Sequence, residues 1–179
     1  MSSRMEPENS IYMNYLIDLS TLKHYSYLDQ DINDEKLSVT LKRIQDTDLE
    51  PALGSLLYRR LLQGVEDNDL TALENKLMVY VLDFIFVACE LKASTHNNWK
   101  IRNKSVGSAS DENVRSYGLD EYNVYRSELQ KDYSFYKNRL IGYLIDNKKD
   151  YPLYIDSKNK QDINPEGQGN NYKSRMSFL

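Results

Sequence analysis

A chain of 179 residues with 28% charged side chains and a net charge of −4 is long enough to bury a substantial core without a metal or a disulfide staple. Seven glycines and four prolines are few for the turns of an all-β chain, so the composition points to an all-α class. A single cysteine excludes a disulfide framework within the chain and fits a reducing, intracellular birthplace, while scattered basic residues lack the clustered footprint of a dedicated nucleic-acid binder.

The N-terminal stretch carries Glu6, Pro7 and Glu8 where a secretory leader needs an apolar run, so residues 1–19 read as an N-terminal arm. Ser20 offers a cap for a short helix from Thr21 to Leu28. Leu37, Leu41 and Ile44 then fall at helical spacing, with Lys42 and Arg43 on the other face, and this amphipathic helix is expected to stop near Asp48. Pro51 fits the first turn of a new helix, whose stripe is Leu53, Leu56, Leu57 and Leu61 and whose end is expected at Gly64 and the polar run Glu66 to Asp69. Thr71 followed by Glu74 is a capping-box signature for the next helix.

From Leu77 to Leu91 nearly every face is apolar, which belongs at the centre of a bundle and makes Phe84, Ile85 and Ala88 core candidates. The same run contains Asp83 and is too short to cross a bilayer, so no membrane partner is expected. Residues 94–118 lose all periodicity and read as a loop longer than compact domains usually keep without a functional reason. Asp120 then caps a last helix on which Tyr122, Tyr125, Leu129, Tyr133, Tyr136, Leu140, Tyr143 and Leu144 step at helical spacing. Tyr151-Pro-Leu-Tyr154 reads as an extended strap returning aromatics to the bundle. Residues 155–179 read as an extended C-terminal tail, polar enough to stay mobile until it meets a partner, with Met176, Phe178 and Leu179 as its apolar anchor. The architecture expected is a bundle of four to five helices over residues 20–154.

Fifteen tyrosines against four phenylalanines leave two readings open, namely a protein interface or a core whose hydroxyls reach its wet edges. Chemistry-bearing patterns are lacking. His24 and His96 stand far apart with no second ligand at metal spacing, Gly107 and Gly118 lack the neighbours of a phosphate loop, and Cys89 sits in an apolar run without a nearby base. No catalytic, metal or cofactor-binding residue is therefore assigned, and no enzyme activity is expected. Trp99, Lys100, Arg102, Lys104 and Arg115 make the long loop mildly basic, although Asp111 and Glu112 dilute it. They are candidate interface residues, as are Tyr172, Met176, Phe178 and Leu179 in the tail.

Ile44-Gln45, Leu53-Gly54 with Leu57-Tyr58 and Leu61, Asn103-Lys104-Ser105-Val106 in the loop, and Phe135-Tyr136 with Arg139-Leu140 and Tyr143-Leu144 resemble the head-to-tail connector, or ring-adaptor, proteins of tailed phages, most nearly those of crAss-like phages. The resemblance spans residues 20–154 and rests on packing motifs. It implies a structural, non-enzymatic subunit whose copies form a homo-oligomeric ring, commonly dodecameric, beneath the portal protein and above the tail or other ring proteins. It also implies a place in the virion at the head-tail junction after assembly in the host cytoplasm, with non-specific contact to DNA in the lumen. The competing expectation, from Trp99 and the basic loop residues, is an intracellular helical regulatory or nucleic-acid-associated protein.

Overall fold

The computed structural model describes residues 15–102, 105–108, 119–155, 163 and 165–166, with side chains described over 15–94, 122–154, 163 and 165–166. Among them the architecture is an all-α bundle with one small addition, a two-stranded hairpin.

The first helix, α1 (Leu19–Tyr25), begins earlier than the Ser20 cap implies, because Asp18 is the cap. Its carboxylate accepts from the Thr21 amide at 2.8 Å and from the hydroxyls of Ser20 and Thr21. Those hydrogen bonds, the one from Ser20 foremost, hold the Asp18 carboxyl well below its ordinary range. Helix α2 (Asp34–Ile44) is capped by Asn33 and buries Leu37, Leu41 and Ile44.

The stop expected near Asp48 does not occur. The chain widens into a π-helical turn, Gln45–Leu49, and runs directly into α3 (Glu50–Leu53). A proline in a continuing helix lacks the N–H for the ladder and presses on the carbonyl four residues back, and a wider turn just before Pro51 accommodates both faults. Burial of Gln45, Leu49, Ala52 and Leu53 holds that path against the core.

Gly54, at φ +78°, breaks the path and starts α4 (Ser55–Glu66). This helix ends at Glu66 with Asp67 as its cap, inside the polar run expected to stop it. The left-handed residue is Asn68, and the Asp69 amide beyond it donates to the Gly64 carbonyl at 3.0 Å. The capping box opens α5 (Ala72–Asn98) as expected. The Thr71 amide donates to the Glu74 carboxylate at 2.7 Å, and the Glu74 amide donates to the Thr71 hydroxyl at 3.2 Å. Arg60 of α4 closes on the same carboxylate at 2.8 Å and on Asp69 at 2.8 Å. Burial pushes the Glu74 carboxyl up, but the hydrogen bonds from Thr71 and Arg60 outweigh it and leave it below its ordinary value.

Phe84, Ile85 and Ala88 on α5 are fully buried, as the apolar run implies. The segment read as a loop is structured at its start, because α5 continues to Asn98 and passes into β1 (Trp99–Arg102), which pairs antiparallel with β2 (Ser105–Ser108) in the register Trp99 to Ser108. Lys100, Ile101 and Val106 are strand-compatible, and a four-residue ladder needs no helical period, so a search for that period passes over it.

Helix α6 (Leu119–Asp146) runs antiparallel to α5. Tyr80 stacks on Tyr143 at 4.1 Å between ring centroids, and Phe84 meets Tyr133 at 5.2 Å. Arg139 pairs with Asp83 at 2.9 Å and lies over the Tyr80 ring. The strap expected at 151–154 is instead a helical turn, α7 (Pro152–Ile155), with Tyr151 and Tyr154 buried. Proline at the first position of a turn is compatible with helix and extended chain alike.

Candidate interaction surfaces

Among the described residues, five tyrosines have satisfied hydroxyls, the buried Tyr58, Tyr151 and Tyr154 and the half-buried Tyr133 and Tyr143 that pack against the core. Tyr58 meets the buried Gln45 amide at 3.2 Å, Tyr133 donates to Asp48 at 2.6 Å, and Tyr143 and Tyr151 share a hydrogen bond of 3.0 Å. Tyr151 also donates to the Leu73 carbonyl at 2.8 Å, and Tyr154 donates to the Glu166 carbonyl at 2.7 Å. Burial pushes the Tyr58 hydroxyl up to about 12, with Asp46 adding to it, and pushes Tyr133 up further with help from Asp48. Tyr58 and Tyr133 therefore stay protonated near neutral pH, and the five side chains serve as fixed hydrogen-bonding pegs. Cys89 is equally inert. Its thiol is buried in α5 and pushed up to about 12 by burial, then by Glu90, where a thiolate nucleophile is not formed. No group of side chains suited to a metal ion occurs among the described residues.

One buried carboxyl stands apart. Glu90 accepts the Tyr27 amide at 2.7 Å, and burial, with Asp132 beside it, raises its carboxyl above the ordinary value of 4.5. A folded-state value above the unfolded one means the native chain holds its proton longer. The stability this contributes is present below 4.5 and is lost as pH rises through the raised value. Glu90→Gln keeps an acceptor for Tyr27 without a charge. Its melting temperature is expected to gain on the parent as pH rises above 4.5, and parallel melting curves across that window would refute the assignment.

The surface left for partners lies elsewhere. In the first half of α6 only Leu129 is buried between Tyr122 and Ser134, and Val124, Tyr125 and Phe135 stand 61%, 48% and 62% exposed. Tyr125 therefore leaves the core stripe that its spacing implied. A shallow trough of about 630 Å³ lies along Asn123, Arg126, Ser127, Gln130, Lys131 and Ser134 of the same half-helix. Apolar side chains interspersed with amides and two cations form the mixed character of a non-obligate interface. Among the candidate interface residues, the structure places Trp99, Lys100 and Arg102 together on β1. Their side chains, and the whole of Lys104, Arg115, Tyr172, Met176, Phe178 and Leu179, lie outside the described residues.

A second surface is made by part of the tail. Ile163, Pro165 and Glu166 are seated on the bundle, against the expectation of a tail free along its whole length. Ser55 and Ile163 exchange two hydrogen bonds, the Ser55 amide to the Ile163 carbonyl at 3.2 Å and the Ile163 amide to the Ser55 hydroxyl at 3.1 Å. The Glu166 amide donates to the Pro51 carbonyl at 2.7 Å, and Lys137 pairs with the Glu166 carboxylate at 3.1 Å. Pro165 is buried over Gly54, where a β-carbon would stand 2.9 Å from its ring. The polar composition of the tail hid this, because Ile163, Pro165 and Glu166 are held by hydrogen bonds, one ion pair and the proline ring rather than by an apolar stripe. Pro165 beside Glu166 is the only trace in the sequence.

These features define an all-α protein with an uncovered stretch of α6 and a tail segment seated on its bundle. The chain belongs to a family of unknown function, DUF6712, whose model matches residues 49–164. That match covers α3 through α7 and reaches the seated tail segment. No curated protein and no solved structure matches the chain.

Proposed function

We propose that the protein is a structural subunit of a phage head-to-tail connector, assembling into a homo-oligomeric ring between the portal and the tail. The observation that carries the reading is the α5–α6 pair. Two helices of 27 and 28 residues extend together past the core, with the hairpin following one of them and uncovered apolar side chains on the other. A ring subunit repeats one heterologous interface, so each copy needs two different complementary patches. The first half of α6 supplies one, and the hairpin side of the arm supplies a second. The residue patterns that resemble connector proteins support the same reading. The portal and adjoining ring or tail proteins are the proposed partners, with non-specific DNA contact in the lumen.

Replacing residues 94–118 by a short Gly/Ser linker is expected to leave the bundle folded, since the core formed by the described residues lies outside that span, while abolishing assembly. Negative-stain microscopy and native mass spectrometry, alone and with the portal protein, read the result. Rings formed as well by this variant would remove the arm from the interface. A parent chain that stays monomeric at all concentrations and ignores the portal would overturn the connector reading itself.

A further inference from the structure

The connection from α1 to α2 is tied down although much of it lies at the surface. The Lys23 ammonium donates to the Gln30 and Ile32 carbonyls at 2.9 and 2.8 Å, the Gln30 side-chain amide returns to the Lys23 carbonyl at 2.9 Å, and the Ser26 hydroxyl donates to the Leu22 carbonyl at 2.6 Å. Glu90 of α5 holds the Tyr27 amide at 2.7 Å. This braced segment nevertheless turns two rings outward, Tyr25 at 67% and Tyr27 at 95% exposure, with the Tyr25 ring 6.2 Å from that of Phe86, one helical turn before Glu90. Burial, then the charge of Glu90, raises the hydroxyl of the half-exposed Tyr125 above its ordinary value, which sets this ring of α6 beside the same carboxyl. Aromatic rings held in place and left uncovered suit an interface anchor, because covering them forfeits little conformational freedom.

The charge of this aromatic patch identifies what covers it. On the antiparallel seam of α5 and α6, Arg139 neutralises Asp83 at 2.9 Å. Seven positions onward in α5 and seven positions back in α6 stand Glu90 and Asp132, two carboxyls where the preceding pair has a cation. Burial and then Asp132 raise the Glu90 carboxyl, and neither residue makes an ion pair among the described residues. Asp29 and Asp31 add exposed carboxylates on the braced link. We propose that the patch of Tyr25, Tyr27 and Tyr125 is a docking site for an arginine-bearing segment of a partner protein, with the guanidinium between Glu90 and Asp132 and its face on the exposed rings. A planar guanidinium offers several donors to the carboxylates while its face stacks on tyrosine, and a compact ammonium does not combine the two. A phosphate backbone is repelled by the same carboxylates. This contact goes beyond the connector reading and does not depend on it.

Nuclear magnetic resonance on the full chain, titrated with the peptide acetyl-Gly-Arg-Gly-Arg-Gly-amide, tests the site. Saturable shifts are expected at the Tyr27 amide and at the ring protons of Tyr25, Tyr27 and Tyr125, weakening as salt is added. The same peptide with citrulline for arginine, close in shape but uncharged, is expected to leave those signals in place. Asp132→Asn alters an exposed side chain and should weaken binding roughly tenfold through loss of a charge-assisted hydrogen bond. Tyr27→Ala leaves the backbone amide on Glu90 and should weaken binding roughly two- to fivefold through loss of a ring contact. Equal binding of the citrulline peptide, undiminished affinity in either variant, or shifts confined to other surfaces would overturn the proposal. None of these outcomes bears on ring formation, so the connector reading stands or falls by its own microscopy.

Discussion

Phe84→Ala is expected to destabilise the bundle by about 3–5 kcal/mol, the range for removing a buried aromatic ring and leaving its cavity. Phe84 is fully buried at the middle of α5 and packs against Tyr133 across the seam with α6. The cavity would open where α2, α5 and α6 converge. Ile85 and Ala88 on the same helix are themselves fully buried, so little side-chain freedom remains to close the space. Since small domains are stable by about 5–15 kcal/mol, the variant should unfold at a clearly lower urea concentration with an unchanged slope. A midpoint equal to the parent's would mean that α5 is not the central helix.

Gly54→Ala is expected to cost about 1–3 kcal/mol from its backbone conformation alone, and to expel the tail segment as well. The added β-carbon would lie 2.9 Å from Cδ of Pro165 and 3.2 Å from its nitrogen, a closeness that displacement of the segment relieves. Hydrogen exchange at the Glu166 amide, bonded to Pro51 in the parent, should accelerate towards the rate of a free chain, while amides of α5 slow or quicken only with global stability. Gly142 supplies the contrast. It sits inside α6, and a β-carbon there meets nothing within 4 Å, so Gly142→Ala should stabilise by about 0.5–1 kcal/mol through helix propensity. If both substitutions gave the same sign, Gly54 would be an ordinary helix breaker rather than a seat for Pro165.

The regular parts of the fold were legible because their signals are local. Apolar residues at 37, 41 and 44, the unbroken apolar run of α5 and the Thr71–Glu74 box each report a short-range preference that tertiary packing reinforces. Legibility was lower where two local devices competed. Asp18 rather than Ser20 caps α1, because the carboxylate is the stronger acceptor and gathers both hydroxyls. Pro51 marked a restart, yet a π turn carries the helix through it, since burial of Leu49 and Leu53 favours continuity over a clean break.

The composition and period of this chain thus establish a helical bundle around α5 and the absence of recognisable catalytic spacing. They do so because burial and hydrogen-bonding preferences act within a turn or two of each residue. Which side of α6 is left bare and where the tail is seated depend on partners far along the chain, such as Tyr133 on Asp48, 85 positions away, and Ile163 on Ser55, 108 positions away. No local pattern encodes such pairings. Gly54 lies inside an apolar helical stripe in the sequence and becomes a helix break and a docking hollow only when the fold brings Pro165 against it.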